Sequence, residues 1–185
     1  MDIQNQPAPL NSIKEVFHDY VGRRAGIIKA LTIDFDRFLS QINPGKLSKS
    51  NGPSLCLVGL PDKTWEARPH QIWRIEEPYD DPMPLSFPEP RRSINITRDV
   101  ISWKDWLVSL ATHSQAWLMS VAFFHAARFD QQKKRRLFQN INCFPTVTEV
   151  ATSDANPVYR GEFDRVPYLL LRPANPSSAR RRRMR

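Results

Sequence analysis

The chain has 185 residues, 41% hydrophobic and 25% charged, which suits one folded domain with stretches of irregular sequence. Two cysteines and four histidines, with no C-x-x-C spacing, exclude the common zinc-finger frameworks, so neither a metal nor another cofactor is expected. Its net charge of +8 is uneven: residues 151–185 hold eight arginines against Asp154, Glu162 and Asp164, a net of +5 that leaves only +3 for residues 1–150.

Residues 1–10 are polar and contain Pro7 and Pro9, so they are expected to form a flexible arm without the apolar run of a signal peptide. Without a secretory signal, Cys56 and Cys143 are expected to be reduced and buried. A first helix begins at Asn11 or Ser12, where Ser12-x-x-Glu15 has the spacing of a capping box. Its apolar positions run from Ile13 through Val16, Phe17, Tyr20, Ile27, Leu31, Phe35 and Phe38 to Leu39. Gly22 and Gly26 interrupt it, as a bend or a close approach, and Asn43-Pro44-Gly45 stops it. Gly45-Lys46 does not make a phosphate-binding loop, since Leu47 stands where Ser or Thr is required.

Leu55 to Pro61 reads as a short apolar strand and Thr64 to Ala67 as its hairpin partner, with Asp62-Lys63 at the turn. Six prolines between Pro69 and Pro90 exclude a regular helix there and predict an extended acidic connection, with Trp73, Tyr79 and Phe87 as anchors. Arg91 to Thr97 has the character of a further strand.

The longest helix is predicted over Trp103–Phe129, with Ser102 as its N-cap. Trp106, Leu107, Leu110, Ala111, Trp117, Leu118, Val121, Ala122 and Phe124 share one broad face; Val108, Met119 and Phe123 lie off it and are also apolar. Such a helix is buried by neighbours on more than one side. Thr112 to Gln115 break its apolar run short of the ~18 residues of a membrane span. Beyond it, Lys133-Lys134-Arg135-Arg136 opens a short amphipathic helix ending near Asn142, and Pro145 opens a last helical turn. The composition then shifts to Asn, Pro, Ser and Arg.

The expected fold class is mainly α with a small β-hairpin. It is a compact single domain built around one long buried helix: arm 1–10, domain 11–150, and a disordered, Arg-rich tail over 151–185.

No catalytic constellation emerges, and the chain is expected not to be an enzyme. His113 and Ser114 are adjacent, so on a helix they point about 100° apart and cannot form a base–nucleophile pair with each other. Glu76, Glu77, Asp80 and Asp81 suit solubilising charge better than paired acid–base work. Trp65 and Trp73 either line a groove for a partner peptide or pin the connection down. Lys133, Lys134, Arg135 and Arg136 present either a solvated face or a nucleic-acid contact. The run Arg180, Arg181, Arg182, Arg183 suits nuclear import or phosphate attraction.

Five stretches together resemble the N-terminal domain of the plant Alfin-like proteins. They are EVFHDYVGRRAGIIKALT (15–32), LCLVGLPDKTWE (55–66), INITRD (94–99), KDWLVSLATHSQAWLMSVAFFHAARF (104–129) and RRLFQNINCFPTVTEV (135–150). The resemblance implies a nuclear, chromatin-associated regulator of transcription whose N-terminal domain binds chromatin-regulator proteins or family members, as hetero- or homodimers. In the family a C-terminal PHD finger reads trimethylated lysine 4 of histone H3; residues 151–185 lack the cysteines of such a finger, so that activity is not carried over. On this reading partner contacts fall to Trp65, Trp73 and Phe87, with Arg23 and Arg24 pairing with acidic partner residues. The alternative is a DNA-binding transcription factor using the basic patches and the tail, without any membrane association.

Overall fold

The computed structural model describes residues 10–42, 55–61, 73–76, 88, 102–156 and 158. Five helices and two strands follow in the order α1 (Ile13–Ala30), α2 (Phe35–Ile42), β1 (Cys56–Gly59), β2 (Trp73–Glu76), α3 (Trp103–Ala126), α4 (Gln131–Ile141) and α5 (Val147–Ala151). The fold is mainly α with one small antiparallel sheet, as its periodicities predict.

α1 starts at the predicted capping box. Ser12 Oγ accepts from the Glu15 amide at 3.1 Å, while Glu15 Oε2 accepts from the amides of Asn11 (2.8 Å) and Ser12 (3.1 Å). The predicted single helix to Leu39 breaks at Leu31–Asp34 instead of bending at a glycine. There the Asp34 amide reaches back to the Lys29 carbonyl (2.8 Å), and Thr32 Oγ1 donates to the Ile28 carbonyl (2.6 Å). These bonds close α1 with a β-branched pair, Thr32-Ile33, that adds little to helix propensity. α2 then ends at Ile42, just before the predicted stop.

α1 packs against every other element, and α3 packs chiefly against α1 and α5. These two helices together organise the core. α3 is long and apolar enough, by length and composition alone, to cross a membrane. Here Trp106, Leu107, Leu110, Ala111, Trp117, Leu118, Val121 and Ala122 of its predicted face are buried within the domain. Phe124 is not: it is 38% exposed, and Phe123 is 55% exposed. Ser114, His125 and Ala126 take the remaining core positions, the first two because 107, 110/111, 114, 118, 121 and 125 follow one helical stripe.

β1 pairs antiparallel with β2, with Cys56 opposite Glu76 and Gly59 opposite Trp73. The partner strand is therefore Trp73–Glu76, from the stretch expected as a connection; the expected partner, 64–67, lies outside the described residues, as does 91–97. Trp73 has the β-propensity of a strand opener, and Arg74 and Glu76 form an ion pair along β2. Trp73 also joins an aromatic cluster with Phe35, Phe38, Trp103 and Trp106. Its ring sits edge-on to Phe38 (centroids 5.8 Å apart), and Trp103 meets Phe35 at 4.9 Å and Trp106 at 5.1 Å.

Asp130 caps α4, and Thr146 caps α5 in a second capping box with Glu149, so Pro145 stands before the cap and not at the first helical position. Packed structure continues past the boundary expected at 150: Asn156 and Val158 are fully buried, and Asn156 Nδ2 donates to the Ala151 carbonyl at 2.7 Å. Cys56 is buried as expected, whereas Cys143 is exposed on the turn after α4.

Candidate interaction site

Two neighbouring arginines on α1 hold separate parts of the fold together. Arg23 Nε pairs with Asp19 at 2.7 Å, its Nη1 donates to the Gly59 carbonyl at 3.2 Å, and its guanidinium lies over the Trp117 ring. It thereby ties α1 to β1 and α3. Arg24 donates from Nη2 (2.6 Å) and Nε (3.2 Å) to the Pro145 carbonyl and covers the Phe144 ring at 5.2 Å, tying α1 to the segment before α5. Burial pushes the Arg24 pKa down, partly offset by Tyr20 and Glu149.

The expectation that Arg23 and Arg24 pair with acidic groups of a partner is therefore corrected. They are 6% and 1% exposed, and their donors are directed into the domain. The signal was present in the sequence. Val16, Tyr20, Arg23, Ile27 and Ala30 recur at spacings of three and four, which puts Arg23 on the apolar face.

Trp73 is likewise 6% exposed: its Nε1 donates to Asp34 Oδ2 at 2.9 Å, and Arg37 lies over its ring at 5.4 Å. That geometry pins β2 to the α1–α2 turn, the second of the two readings open for this residue, and removes Trp73 from an open peptide groove. Trp65, Phe87 and Arg180 to Arg183 lie outside the described residues. His113 is half-buried and Ser114 buried on α3, on adjacent positions. Among the described residues no group of three or more His, Cys, Asp or Glu side chains could hold a metal ion.

Of the expected basic features, the one described is α4. Lys133, Arg135 and Arg136 are exposed and Lys134 half-buried, while Leu137 and Ile141 enter the core. This division follows from the helical period, which turns the charged first half outward. Between the start of α1 and this face of α4 lies a half-open groove of about 540 Å³, lined by Ile13, Phe17, Lys14, Lys133, Arg136 and Asn140 among others. Sequence reasoning assigned Lys133 and Arg136 to a basic patch. It missed that α1 supplies an apolar wall opposite them, because only the tertiary fold brings residues 13–17 and 133–140 together.

The architecture of the described residues thus defines a small helical domain with buried arginine cross-ties and a basic, apolar-walled groove. Comparison with known proteins gives its family: the Alfin family model matches residues 12–153, and the chain belongs to that family. PHD finger protein Alfin1 of Medicago sativa is 44% identical over 151 residues, which are 80% of this chain and 52% of that protein. PHD finger protein ALFIN-LIKE 7 of Arabidopsis thaliana is 43% identical over 80% of this chain and 54% of its own length. PHD finger protein ALFIN-LIKE 5 of Oryza sativa subsp. indica is 40% identical over 93% of this chain and 60% of its own length. The chain spans about half the length of these relatives.

Proposed function

We propose that this chain supplies the protein–protein interaction domain of a nuclear, chromatin-associated transcription regulator, pairing with family members or with chromatin-regulator proteins. The carrying observation is the Alfin match over residues 12–153, joined to 40–44% identity with plant proteins that bear the PHD finger name. The helical core supports the same reading, since several of its buried polar groups serve packing: Arg23, Arg24, Thr32 and Asn156 all bond within the domain. On this reading the chain is a binding module and not an enzyme.

Reading of trimethylated lysine 4 on histone H3 belongs, in the family, to the PHD finger. Two cysteines in these 185 residues cannot furnish that finger's zinc ligands, so reading of the mark is not proposed for this stretch. The test is the solution mass of the chain mixed with ALFIN-LIKE 7 of Arabidopsis thaliana, by light scattering. A mixed complex is expected; two unmixed species at micromolar concentration contradict the pairing.

A second reading, direct DNA binding, is favoured by the exposed Lys133, Arg135 and Arg136 on α4 and by the Arg180–Arg183 run. It predicts an affinity that falls steeply with salt, because each phosphate neutralised releases counterions. Interaction surfaces of proteins respond less steeply.

A further inference from the structure

We infer that the groove between α1 and α4 is a docking site for an acidic peptide segment carrying one large apolar side chain. This deepens the interaction-domain reading and rests on it: it names the surface and the chemistry of the partner.

The groove has two kinds of wall. Ile13 and Phe17 lie one turn apart on α1, both only half-buried, and give an apolar strip. Phe17 is held in place from behind by Phe144, whose ring centroid is 5.8 Å away. Facing that strip, Lys133, Arg136 and Asn140 follow one another at i, i+3 and i+7 on α4, and Lys14 borders the α1 side. Among the described residues no carboxylate lines the groove. Lys133 and Arg136 facing an apolar wall leave the space complementary to carboxylates flanking an aliphatic or aromatic residue. A volume of about 540 Å³ accommodates a short peptide stretch with one large side chain.

The attraction comes from side chains and not from the end of α1. The amides of Asn11, Ser12 and Glu15 are taken up by the capping box. Lys133 does meet Asp130 at 3.5 Å, but both side chains of that pair are a little over half exposed, and the Asp130 carboxylate also accepts from the Lys133 amide at 2.8 Å. An exposed pair of this kind contributes little, so a peptide carboxylate can compete for the ammonium. Nucleic acid fits the same surface less well. Firm binding to duplex typically engages roughly six to ten phosphates, whereas the α4 wall of this short groove presents two cations, Lys133 and Arg136.

The experiment uses the whole chain and a short synthetic peptide of Glu and Asp with a single central Phe, followed by amide and side-chain NMR shifts. A DNA duplex of matched charge serves as the second probe. Shifts confined to Ile13, Phe17, Arg136, Asn140 and their neighbours are expected. A Lys133→Glu/Arg136→Glu variant should weaken the peptide by roughly tenfold or more, since like charges then face each other. Arg136→Lys should keep most of the affinity. Both altered side chains are exposed, and an unchanged urea midpoint checks that the fold is intact. Replacing the central Phe of the peptide by Gly should also weaken binding, which a purely electrostatic contact would not show.

Shifts elsewhere, no peptide binding, or a duplex that binds the same residues more tightly would each overturn the inference. The peptide reads the groove directly, so its result separates from that with ALFIN-LIKE 7. A chain that ignores the peptide but pairs with that protein loses only the groove; a chain that takes the peptide but not that protein loses only the pairing.

Discussion

At the residue scale the fold is held by polar side chains in places usually given to apolar ones. Arg24 illustrates why such a choice is stable: its guanidinium is directed at a carbonyl that precedes a helix cap and lies against an aromatic face. Removing it leaves the Pro145 carbonyl without that donor and opens a cavity between α1 and α5. We expect Arg24→Ala to lower stability by about 3 kcal/mol, and Arg24→Met by less because its stem refills the space, read from urea unfolding. Arg23 and Arg24 looked like surface charge because arginine usually is. The helical phase of Val16, Tyr20 and Ile27 carried the contrary message, and composition alone outweighed it.

His125 brings a pH dependence. It is buried on α3, and burial pushes its pKa below the ordinary imidazole value of 6.5; Asp19 works against that shift and Arg23 adds to it. The unfolded chain therefore binds the proton more readily than the folded one. Stability is full above 6.5 and declines as pH falls through that value, until the folded-state pKa is passed and no further loss from this group occurs. Urea midpoints measured on either side of 6.5 should show this decline in the native chain and a smaller one in His125→Gln. Equal declines in both would remove His125 as the cause.

At the element scale, most of the helical architecture was legible because it is written locally. Ser12 with Glu15 and Ser102 with Asp105 mark helix starts through side chains that bond amides three residues on. The strand pairing was not legible. β1 and the stretch after it look like a hairpin by alternation alone, yet β2 begins at Trp73, selected by the aromatic cluster and by Asp34 waiting for its indole N–H. Those contacts join residues distant in sequence, and no local pattern records them. The position of β1 is also fixed by Gly59: a Cβ there would stand 2.1 Å from the Arg23 carbonyl oxygen. Since that clash is with backbone, β1 would have to retreat from α1 and lose the Arg23 bond to the Gly59 carbonyl. Gly59→Ala should cost about 2–3 kcal/mol, against about 1 kcal/mol for Ser102→Ala at the α3 cap. Thermal or urea unfolding of the two variants checks the order.

At the scale of the whole molecule, α1 and α3 divide the labour. α1 touches every other element and therefore mixes apolar and arginine positions around its circumference, while α3 supplies the largest apolar face. The dominance of α3 was plain in the sequence; the centrality of α1 was not, because a helix buried on several sides by different partners shows weak periodicity. The candidate groove was invisible for the same kind of reason, half of it lying on α1 and half on α4, more than a hundred residues along the chain. The resemblance in 15–32, 55–66, 94–99, 104–129 and 135–150 agrees with the family match over 12–153. Family membership was thus more readable than the site.

The central proposal is that these 185 residues bind protein partners, with recognition of the histone mark lying outside this stretch. The most direct measurement titrates the purified 185-residue chain, in one assay at low and moderate salt, with ALFIN-LIKE 7 of Arabidopsis thaliana, a trimethylated-lysine-4 H3 peptide and a DNA duplex. The account predicts a saturable complex with the protein that survives moderate salt, no response to the peptide, and at most a weak duplex interaction lost as salt rises. Binding of the histone peptide, or duplex binding that exceeds partner binding at moderate salt, would contradict it.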